Sequence, residues 1–201
     1  MIEKVREIFK REATAITNIP VTKSFEIAVG IIHRQVHGKN GKLVTSGMGK
    51  AGQIAHNIAT TFSSTGTPSI FLHPSEAQHG DLGILQENDV LLAISNSGKT
   101  REIIELIDLK NNLYPLIPVI VITGNEDSPL ASKADCYILT GAPAEVCTLG
   151  LTPTTSTTMM TVIGDALVVL LMEKIDFNAS DYAKRHHGGY LGMKSREISG
   201  K

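Results

Sequence analysis

The stretch Val90-Leu91-Leu92-Ala93-Ile94-Ser95-Asn96-Ser97-Gly98-Lys99-Thr100 passes from an apolar run into small hydroxyl residues, and a helical pattern begins near Arg101. The apolar part predicts a buried strand. Hydroxyl groups supply short hydrogen-bond donors, Gly98 lets the backbone approach a ligand, and the amides and dipole at the start of the following helix favour an anion. The order therefore predicts an α/β unit with a phosphate site in this turn. An ordinary Ser/Thr helix cap is the alternative.

A second loop of similar character, Ser46-Gly47-Met48-Gly49-Lys50-Ala51-Gly52, also follows a short apolar run and precedes a helical pattern. Its glycines spell the dinucleotide fingerprint GxGxxG, which requires an acidic residue about 20 positions later, at the end of the next strand. That strand ends here in His73-Pro74. A P-loop is also disfavoured, because its first glycine would fall on Ala93. A lysine in a glycine-rich turn suits a sugar phosphate better.

Short apolar runs alternate with helical patterns along the rest of the chain. Two helical stretches at the N-terminus, near 2–17 and 22–37, precede them. The predicted strands are 43–45, 69–72, 90–94, 118–122 and 136–139, and the predicted later helices are 53–64, 101–113, 128–133 and 155–174. This alternation predicts a doubly wound parallel sheet, in which ligands bind beyond the carboxyl ends of the strands. The apolar side chains of 155–174 are expected in the core or at a subunit interface.

Composition excludes several classes of function. The chain has 201 residues, a net charge of -1, 4% aromatic residues and no Trp, so a basic nucleic-acid surface is not expected. The N-terminus alternates charges and does not resemble a signal peptide, and no apolar run is expected to reach the length of about 18 residues of a membrane span. Cys136 and Cys147 lack metal or disulfide spacing. We therefore expect a cytoplasmic protein with reduced thiols that contacts neither nucleic acid nor membrane.

Two further segments carry polar residues that no fold requires. The segment 73–83 holds two His, a Glu and an Asp, and its spacing suits a metal, a helix cap or a sugar hydroxyl. The segment Arg185-His186-His187-Gly188-Gly189 is too rich in glycine for a simple helix end. A mobile tail, a catalytic acid or base, and an adventitious metal site remain open for it.

Taken together, these motifs resemble the sugar isomerase (SIS) domain of bacterial arabinose 5-phosphate isomerases. The matching segments are GMGKAG at 47–52, FSSTGTPSIFLHPSEAQHGDLG at 62–83, ISNSGKTREI at 94–103, EVCTLGLTPTTSTT at 145–158 and HHGGYLG at 186–192. The resemblance implies an α/β, three-layer αβα sandwich with a flavodoxin-like five-stranded parallel sheet. It also implies interconversion of D-arabinose 5-phosphate and D-ribulose 5-phosphate without a cofactor, the first step toward the surface-polysaccharide sugar Kdo.

Site residues carry over from the resemblance position by position. Groups considered catalytic in that family match Lys50, Glu102, Glu145 and His186. Residues that match the substrate and phosphate site are Gly47, Gly49, Glu76, His79, Ser95, Asn96, Ser97 and Thr100. Two positions depart from the family pattern: His187 stands where the family usually has Pro, and Lys99 replaces a common Glu. No metal is expected to act in the reaction, although His79 and His186 could form an adventitious or inhibitory metal site.

The reaction itself suggests a role for each group. Opening the sugar ring needs an acid and a base near neutral pKa, for which His186 is suited. Proton transfer between C2 and C1 needs one base that reaches both carbons, either Glu145 or Glu102. The enediolate oxygen needs a fixed cation, which Lys50 can supply.

We expect one SIS domain over 1–201, made of a helical arm (1–38), an α/β core (39–176) and a C-terminal active-site segment (177–201). The resemblance further implies a homotetramer in which His79 and His186 reach a neighbouring chain's site. The glycine-rich segment 188–192 is expected to be floppy unless it is docked. CBS modules common in the family do not follow within this sequence, so feedback by Kdo or CMP-Kdo would act at the catalytic pocket.

Other functions stay open at this point. The chain could be a non-enzymatic SIS regulator that binds a phosphosugar. It could also isomerise another phosphosugar, such as sedoheptulose 7-phosphate or a hexulose 6-phosphate. Whether the pathway is lipopolysaccharide or capsule is equally open.

Overall fold

One all-parallel sheet organises the computed structural model, which describes residues 1–200. Its strands are β1 (Leu43–Gly47), β2 (Ser69–Phe71), β3 (Val90–Ile94), β4 (Val119–Thr123) and β5 (Cys136–Leu139). They lie in the order β2-β1-β3-β4-β5, and every neighbouring pair is parallel. This is the flavodoxin-like order of a doubly wound sheet. The predicted fold class is therefore confirmed.

Helices connect the strands and extend the chain at both ends. In the described part of the chain they are α1 (Ile2–Thr17), α2 (Ser24–Ile32), α3 (Gly49–Ser64), α4 (Pro74–Ala77), α5 (Arg101–Leu113), α6 (Pro129–Ser132), α7 (Thr155–Lys174), α8 (Ala179–Arg185) and α9 (Gly189–Ser199). A π-helical turn, His33–Gly38, continues α2, and a 3-10 turn, Asp81–Ile84, follows α4.

Both faces of the sheet are covered, which produces three layers. On one face, α2, α3 and α7 pack around Phe62, Ile32 and Leu167 against alternate strand residues such as Leu92. On the other face, Leu106 and Ile107 of α5 join α4 and α6 in a second cluster. The central strands β1, β3 and β4 are buried along their whole length. Burial on both faces explains why β3 and β4 are nearly continuous apolar runs rather than alternating patterns. In β1, by contrast, the buried hydroxyls of Thr45 and Ser46 donate to the carbonyl oxygens of Ala55 and Leu72.

The two loops predicted to bind an anion come together at one edge of the sheet. β1 and β3 are hydrogen-bonded neighbours, with Gly47 opposite Ile94 at their carboxyl ends. The chain leaves β1 into α3 on one face of the sheet and leaves β3 into α5 on the other. A crevice between the ends of such strands is the usual ligand position in open α/β sheets.

The glycine loop is shorter than its sequence suggests. β1 continues through Ser46 and Gly47, and α3 begins at Gly49 instead of near Gln53. A Cβ on Gly52 would lie 2.6 Å from the carbonyl oxygen of Gly47, so the helix starts in direct contact with the strand end. Lys50 therefore lies in the first turn of a helix rather than in a loop.

The C-terminal segment, expected from its sequence to be floppy unless docked, is docked within its own chain. Its residues 189–199 form α9, which packs on α8 within the same chain. Gly192 is buried, and a Cβ there would lie 2.2 Å from the carbonyl oxygen of His186. The glycine permits close approach of the two helices, so here it contributes to packing rather than to mobility.

Helix α7 corrects the expectation that no segment has the length and apolar character of a membrane span. By length and composition its 20 residues are sufficient to cross a membrane. Half of its apolar window is buried inside the protein, and Met160, Ile163, Leu167 and Leu171 pack in the core. Packing in the core accounts for the buried half of this apolar composition.

Candidate active site

A cleft of about 510 Å³ opens at the carboxyl edge of the sheet, where β1 and β3 end. The β1–α3 turn, the β3–α5 turn, the segment before α7 and the first turns of α7 form its walls. Predicted site residues that line it are Lys50, Ser95, Asn96, Ser97, Thr100 and Glu145. Three separate stretches of the chain thus share one cavity.

The β3–α5 turn presents hydroxyl groups and the start of a long helix. Ser95 and Thr100 are joined through their Oγ atoms at 2.7 Å, and the backbone amide of Lys99 donates to Ser97 Oγ at 3.2 Å. Gly98 has a φ of +63°, and a Cβ there would stand 2.0 Å from Ser128 Oγ. Only glycine fits this turn, which leads directly into the first amides of α5. The turn therefore has the donors and the helix dipole that an anion requires.

Lys50 lines the same cleft from the first turn of α3. Its side chain is exposed and lines the cleft together with Met48 and Ala51. A cation is unfavourable near a helix N-terminus, because that end of the dipole is already positive. An anionic ligand between the N-terminal end of α3 and the Lys50 ammonium would relieve this repulsion.

Glu145 lies in the cleft from the segment between β5 and α7, which contains no strand or helix from residue 140 to 154. Its Oε2 accepts hydrogen bonds from the Thr154 amide at 2.7 Å, the Thr154 hydroxyl at 2.9 Å and the Ser156 amide at 3.3 Å. The carboxylate thus caps the N-terminus of α7, where its charge is favoured. Burial works to raise the pKa of Glu145, but the hydrogen bonds from Ser156 and Thr154 outweigh it, and the pKa lies below its usual value. The group is ionised at neutral pH.

Other predicted site residues lie outside this cleft. Glu102 is half-buried in the first turn of α5, Glu76 is exposed on α4, and His79 is exposed after it. His186 lies at the end of α8, where its ring stacks on Tyr182 with centroids 3.7 Å apart and its Nδ1 lies 3.1 Å from the Tyr182 carbonyl oxygen. Gly47 and Gly49 shape the β1–α3 turn without lining the cavity.

The described residues, 1–200, contain no group of three or more His, Cys, Asp or Glu side chains arranged to hold a metal ion. His79 and His186 belong to different parts of the chain, after α4 and after α8. The segment 73–83 forms α4 and the 3-10 turn, in which the backbone of His79 donates to the carbonyl oxygen of Glu76 at 2.9 Å.

Sequence reasoning missed the residues that hold Glu145. Thr154 and Ser156 lie in a run of hydroxyl residues, TPTTSTT, directly before the apolar part of α7, which is a recognisable helix-start signal. Arg11 and Glu12 of α1 contact the same region from 134 and 143 positions away, Arg11 through the Glu145 carbonyl and Glu12 through Thr155. No local pattern could have pointed to those two contacts.

The fold and the cleft together define an α/β protein whose cleft, at the carboxyl edge of a parallel sheet, has the chemistry suited to a small anionic ligand. A family model for the SIS domain matches residues 37–170, and the chain belongs to this family. Among curated proteins, the arabinose 5-phosphate isomerase KdsD of Shigella flexneri is 51% identical over 154 residues, covering 77% of this chain and 46% of that protein. The chain spans about half the length of the curated relatives it matches.

Two of the similar solved structures, each covering more than nine tenths of the chain, carry the comparison furthest. A candidate phosphosugar isomerase involved in capsule formation from Bacteroides fragilis NCTC 9343 is 69% identical, with a TM-score of 0.93, and the match covers 94% of this chain and 99% of that one. The E. coli CFT073 protein c3406, in complex with arabinose 5-phosphate, is 34% identical, with a TM-score of 0.86, covering 92% and 96%. The predicted resemblance to arabinose 5-phosphate isomerases is confirmed.

Proposed function

We propose that this chain is an aldose-ketose isomerase that interconverts D-arabinose 5-phosphate and D-ribulose 5-phosphate through an enediol. The observation that carries the proposal is the single cleft in which the hydroxyl turn 95–100, the Lys50 ammonium and the Glu145 carboxylate meet. The similarity to a protein that binds arabinose 5-phosphate and to the KdsD isomerases supports the choice of substrate. The product would serve Kdo synthesis.

In this scheme the β3–α5 turn holds the phosphate. The Ser95, Ser97 and Thr100 hydroxyls and the first amides of α5 are the available donors, and Asn96 lines the same wall. The sugar chain then extends toward Lys50 and Glu145. Binding energy from the unreactive phosphate would be used to orient the reacting carbons.

The chemistry transfers one proton between neighbouring carbons of the open-chain sugar. A carboxylate removes the C2 proton, the electron pair of that C–H bond forms the C1–C2 double bond, and the C1 carbonyl oxygen becomes the enediolate that Lys50 stabilises. The same carboxylate returns the proton to C1 while the C2 hydroxyl proton moves to the C1 oxygen, so that C1 becomes a CH2OH carbon and C2 becomes the carbonyl carbon. Glu145 is favoured over Glu102 for this role, because Glu145 lines the cleft and Glu102 does not.

Ring opening is assigned to His186, and we propose that it reaches the site from a neighbouring copy in a homotetramer, as does His79. Within its own chain His186 lies outside the cleft, stacked on Tyr182. Exposed apolar side chains on α7 and after α1, such as Val169 and Val21, offer a surface for such an assembly. Glu76 and the glycines of the β1–α3 turn complete the proposed substrate site.

We place this reaction in the cytoplasm, where the free thiols of Cys136 and Cys147 would stay reduced. Similarity to the Bacteroides fragilis protein favours capsule over lipopolysaccharide as the destination. Feedback by Kdo or CMP-Kdo at the catalytic cleft is part of the proposal. Competition of CMP-Kdo with substrate in a titration supports it, and failure to compete removes it.

Proton NMR of D-arabinose 5-phosphate in deuterated water tests the function directly, with and without a chelator. We expect ribulose 5-phosphate to form, with deuterium entering at the transferred carbon and no effect of the chelator. A chelator effect would contradict the metal-free scheme. Binding of arabinose 5-phosphate without turnover would instead indicate a non-enzymatic SIS regulator. Turnover of a sedoheptulose or hexulose phosphate alone would indicate an isomerase with a different substrate.

A further inference from the structure

The peptide group that follows Glu145 is held at its carbonyl by α1, and at its amide by a threonine of α7 that α1 also contacts. The Glu145 carbonyl oxygen accepts a hydrogen bond from Arg11 Nη2 at 3.1 Å. The amide of the same peptide group, on Val146, donates to Thr155 Oγ1 at 3.1 Å. Thr155 Oγ1 in turn donates to Glu12 Oε1 at 2.9 Å.

The Val146 amide also lies 3.3 Å from Thr154 Oγ1, but its shorter contact, to Thr155, belongs to a series of hydrogen bonds with a fixed direction. A hydroxyl group has one proton to donate, and Thr155 gives it to the Glu12 carboxylate. The oxygen of Thr155 is thereby turned to accept from Val146. Arg11 and Glu12, consecutive residues of α1, therefore fix the plane of the peptide that determines where the Glu145 side chain begins.

The segment that carries Glu145 has no other regular support. Residues 140–154 contain no strand or helix, and Gly141, Ala142 and Gly150 all have positive φ. The side-chain hydrogen bonds of Glu145 go to Thr154 and Ser156, at the α7 end of this segment. Without α1, the peptide after Glu145 would keep only its amide contacts to the hydroxyls of Thr154 and Thr155.

Helix α1 has few other ties to the core. None of its residues is buried, although it packs along α7. Glu12 Oε2 is buried without a hydrogen-bond partner among the described residues, an arrangement that costs stability. The hydrogen bond that Glu12 Oε1 accepts from Thr155 explains why a carboxylate occupies this position.

We infer that α1 is a positioning element for Glu145, with Arg11 and Glu12 as positioning residues that act through the Glu145–Val146 peptide. The inference rests on the proposed isomerase function for its catalytic consequence. A displacement of the reacting base by about 1 Å costs on the order of 100-fold in rate, whereas the phosphate contacts of the 95–100 turn are left intact. The effect should therefore fall on kcat and leave KM nearly unchanged.

The test compares Arg11→Ala and Glu12→Ala with a control on the same helix, Lys4→Ala, which removes an exposed lysine. We expect kcat to fall about 10- to 100-fold in both variants, with KM within about twofold of wild type. Glu12→Gln keeps an acceptor oxygen and should retain most of the activity, and Lys4→Ala should match wild type. A rise in KM at unchanged kcat, or equal loss in Glu12→Gln and Glu12→Ala, would overturn the inference.

Hydrogen exchange of the peptide covering residues 141–151 gives a readout independent of activity. Exchange should be faster in Arg11→Ala and Glu12→Ala than in wild type, and unchanged in Lys4→Ala. Faster exchange with normal kcat refutes the positioning role, and unchanged exchange refutes the contact itself. If the wild-type chain fails to turn over arabinose 5-phosphate, the proposed function fails, and the exchange experiment still decides whether α1 holds this segment.

Discussion

At the scale of single residues, the environment of Glu145 distinguishes it from the other candidate carboxylate. Its Oε2 receives three hydrogen bonds, and it shares the cleft with Lys50. Glu102 lies in the helix that follows the phosphate loop, and its side chain does not line that cavity. The sequence left these two glutamates equal as the proton-transfer base, and their geometry favours Glu145.

Replacing each glutamate by glutamine tests this difference. Glu145→Gln should lower kcat by about 100- to 10,000-fold, because a general base contributes about that much. Glu102→Gln should have a clearly smaller effect if Glu102 acts only near the site. Steady-state kinetics on purified variants measure both. Near-normal turnover in both variants would refute the catalytic scheme, and a larger loss in Glu102→Gln would reverse the assignment.

The lowered pKa of Glu145 predicts the acid side of the pH profile. Hydrogen bonds to the Glu145 carboxylate stabilise its charged form, so Glu145 stays ionised at pH values where an ordinary glutamate is protonated. Its activity as a base is lost only as the pH falls through this lowered pKa. Thr154→Ala removes the hydroxyl hydrogen bond to Glu145 Oε2 and keeps the amide ones, which should raise the pKa of Glu145 and move the acid limb of kcat/KM to higher pH. Thr158→Ala is the control, because its hydroxyl bonds the Thr154 carbonyl instead. Coincident acid limbs for Thr154→Ala and wild type would rule out Glu145 as the titrating base.

At the scale of structural elements, the turn between β3 and α5 requires glycine at position 98 for two reasons, its left-handed backbone and its close contact with a neighbouring loop. Gly98 adopts a positive φ, and its backbone passes against Ser128, whose hydroxyl accepts from the Ala131 amide at the start of α6. The phosphate loop and the β4–α6 connection therefore pack directly on each other. Their positions are linked, although 30 residues separate them.

Gly98→Ala should therefore harm both stability and binding. The left-handed backbone and the clash with Ser128 together cost about 2 to 4 kcal/mol of unfolding free energy. Chemical denaturation measures this loss, and a titration with inorganic phosphate measures the weakened anion site. Gly83→Ala, at a glycine with open space and no positive φ, is the matched control and should change little. Wild-type stability in Gly98→Ala would contradict this account of the turn.

At the scale of the whole molecule, an apolar groove remains open between the end of α1, α2 and α7. Its volume is about 410 Å³, and its lining is Ile16, Ile19, Val21, Phe25, Val162, Ile163, Ala166, Val169 and Leu170. Val21 is 85% exposed and Val169 is 53% exposed. Exposed apolar surface of this kind marks interaction sites. A second copy of the chain would both cover it and supply the histidines that lie outside the cleft.

Light scattering should give several times the chain mass of 21.6 kDa. Val169→Asp places a charge in the groove and should shift the protein toward smaller species, with loss of isomerase activity. Glu173→Ala, an exposed position on the same helix, should leave the assembly intact. A fully active monomer would refute the shared active site.

Much of the fold and part of the site follow from local sequence patterns. The central strands β3 and β4 appear as short runs of Val, Leu, Ala and Ile, and β3, α1, α5 and α7 match the predicted boundaries. The phosphate turn is equally local, because its hydroxyls, Gly98 and the helix start are consecutive. Patterns of this kind are visible in sequence, since the interactions that produce them lie within a few residues.

Other features depend on contacts between distant residues, and only the tertiary structure decided them. The early start of α3 comes from the contact of Gly52 with the end of β1, and α9 forms where the sequence suggested a loose glycine segment, because Gly192 packs on the end of α8. The support of Glu145 by Arg11 and Glu12 joins opposite ends of the chain. Sequence by itself determined the layered sheet and the anion turn, since periodicity and turn chemistry are local. Which carboxylate shares the cleft with Lys50, and what holds it there, depended on packing between residues far apart along the chain.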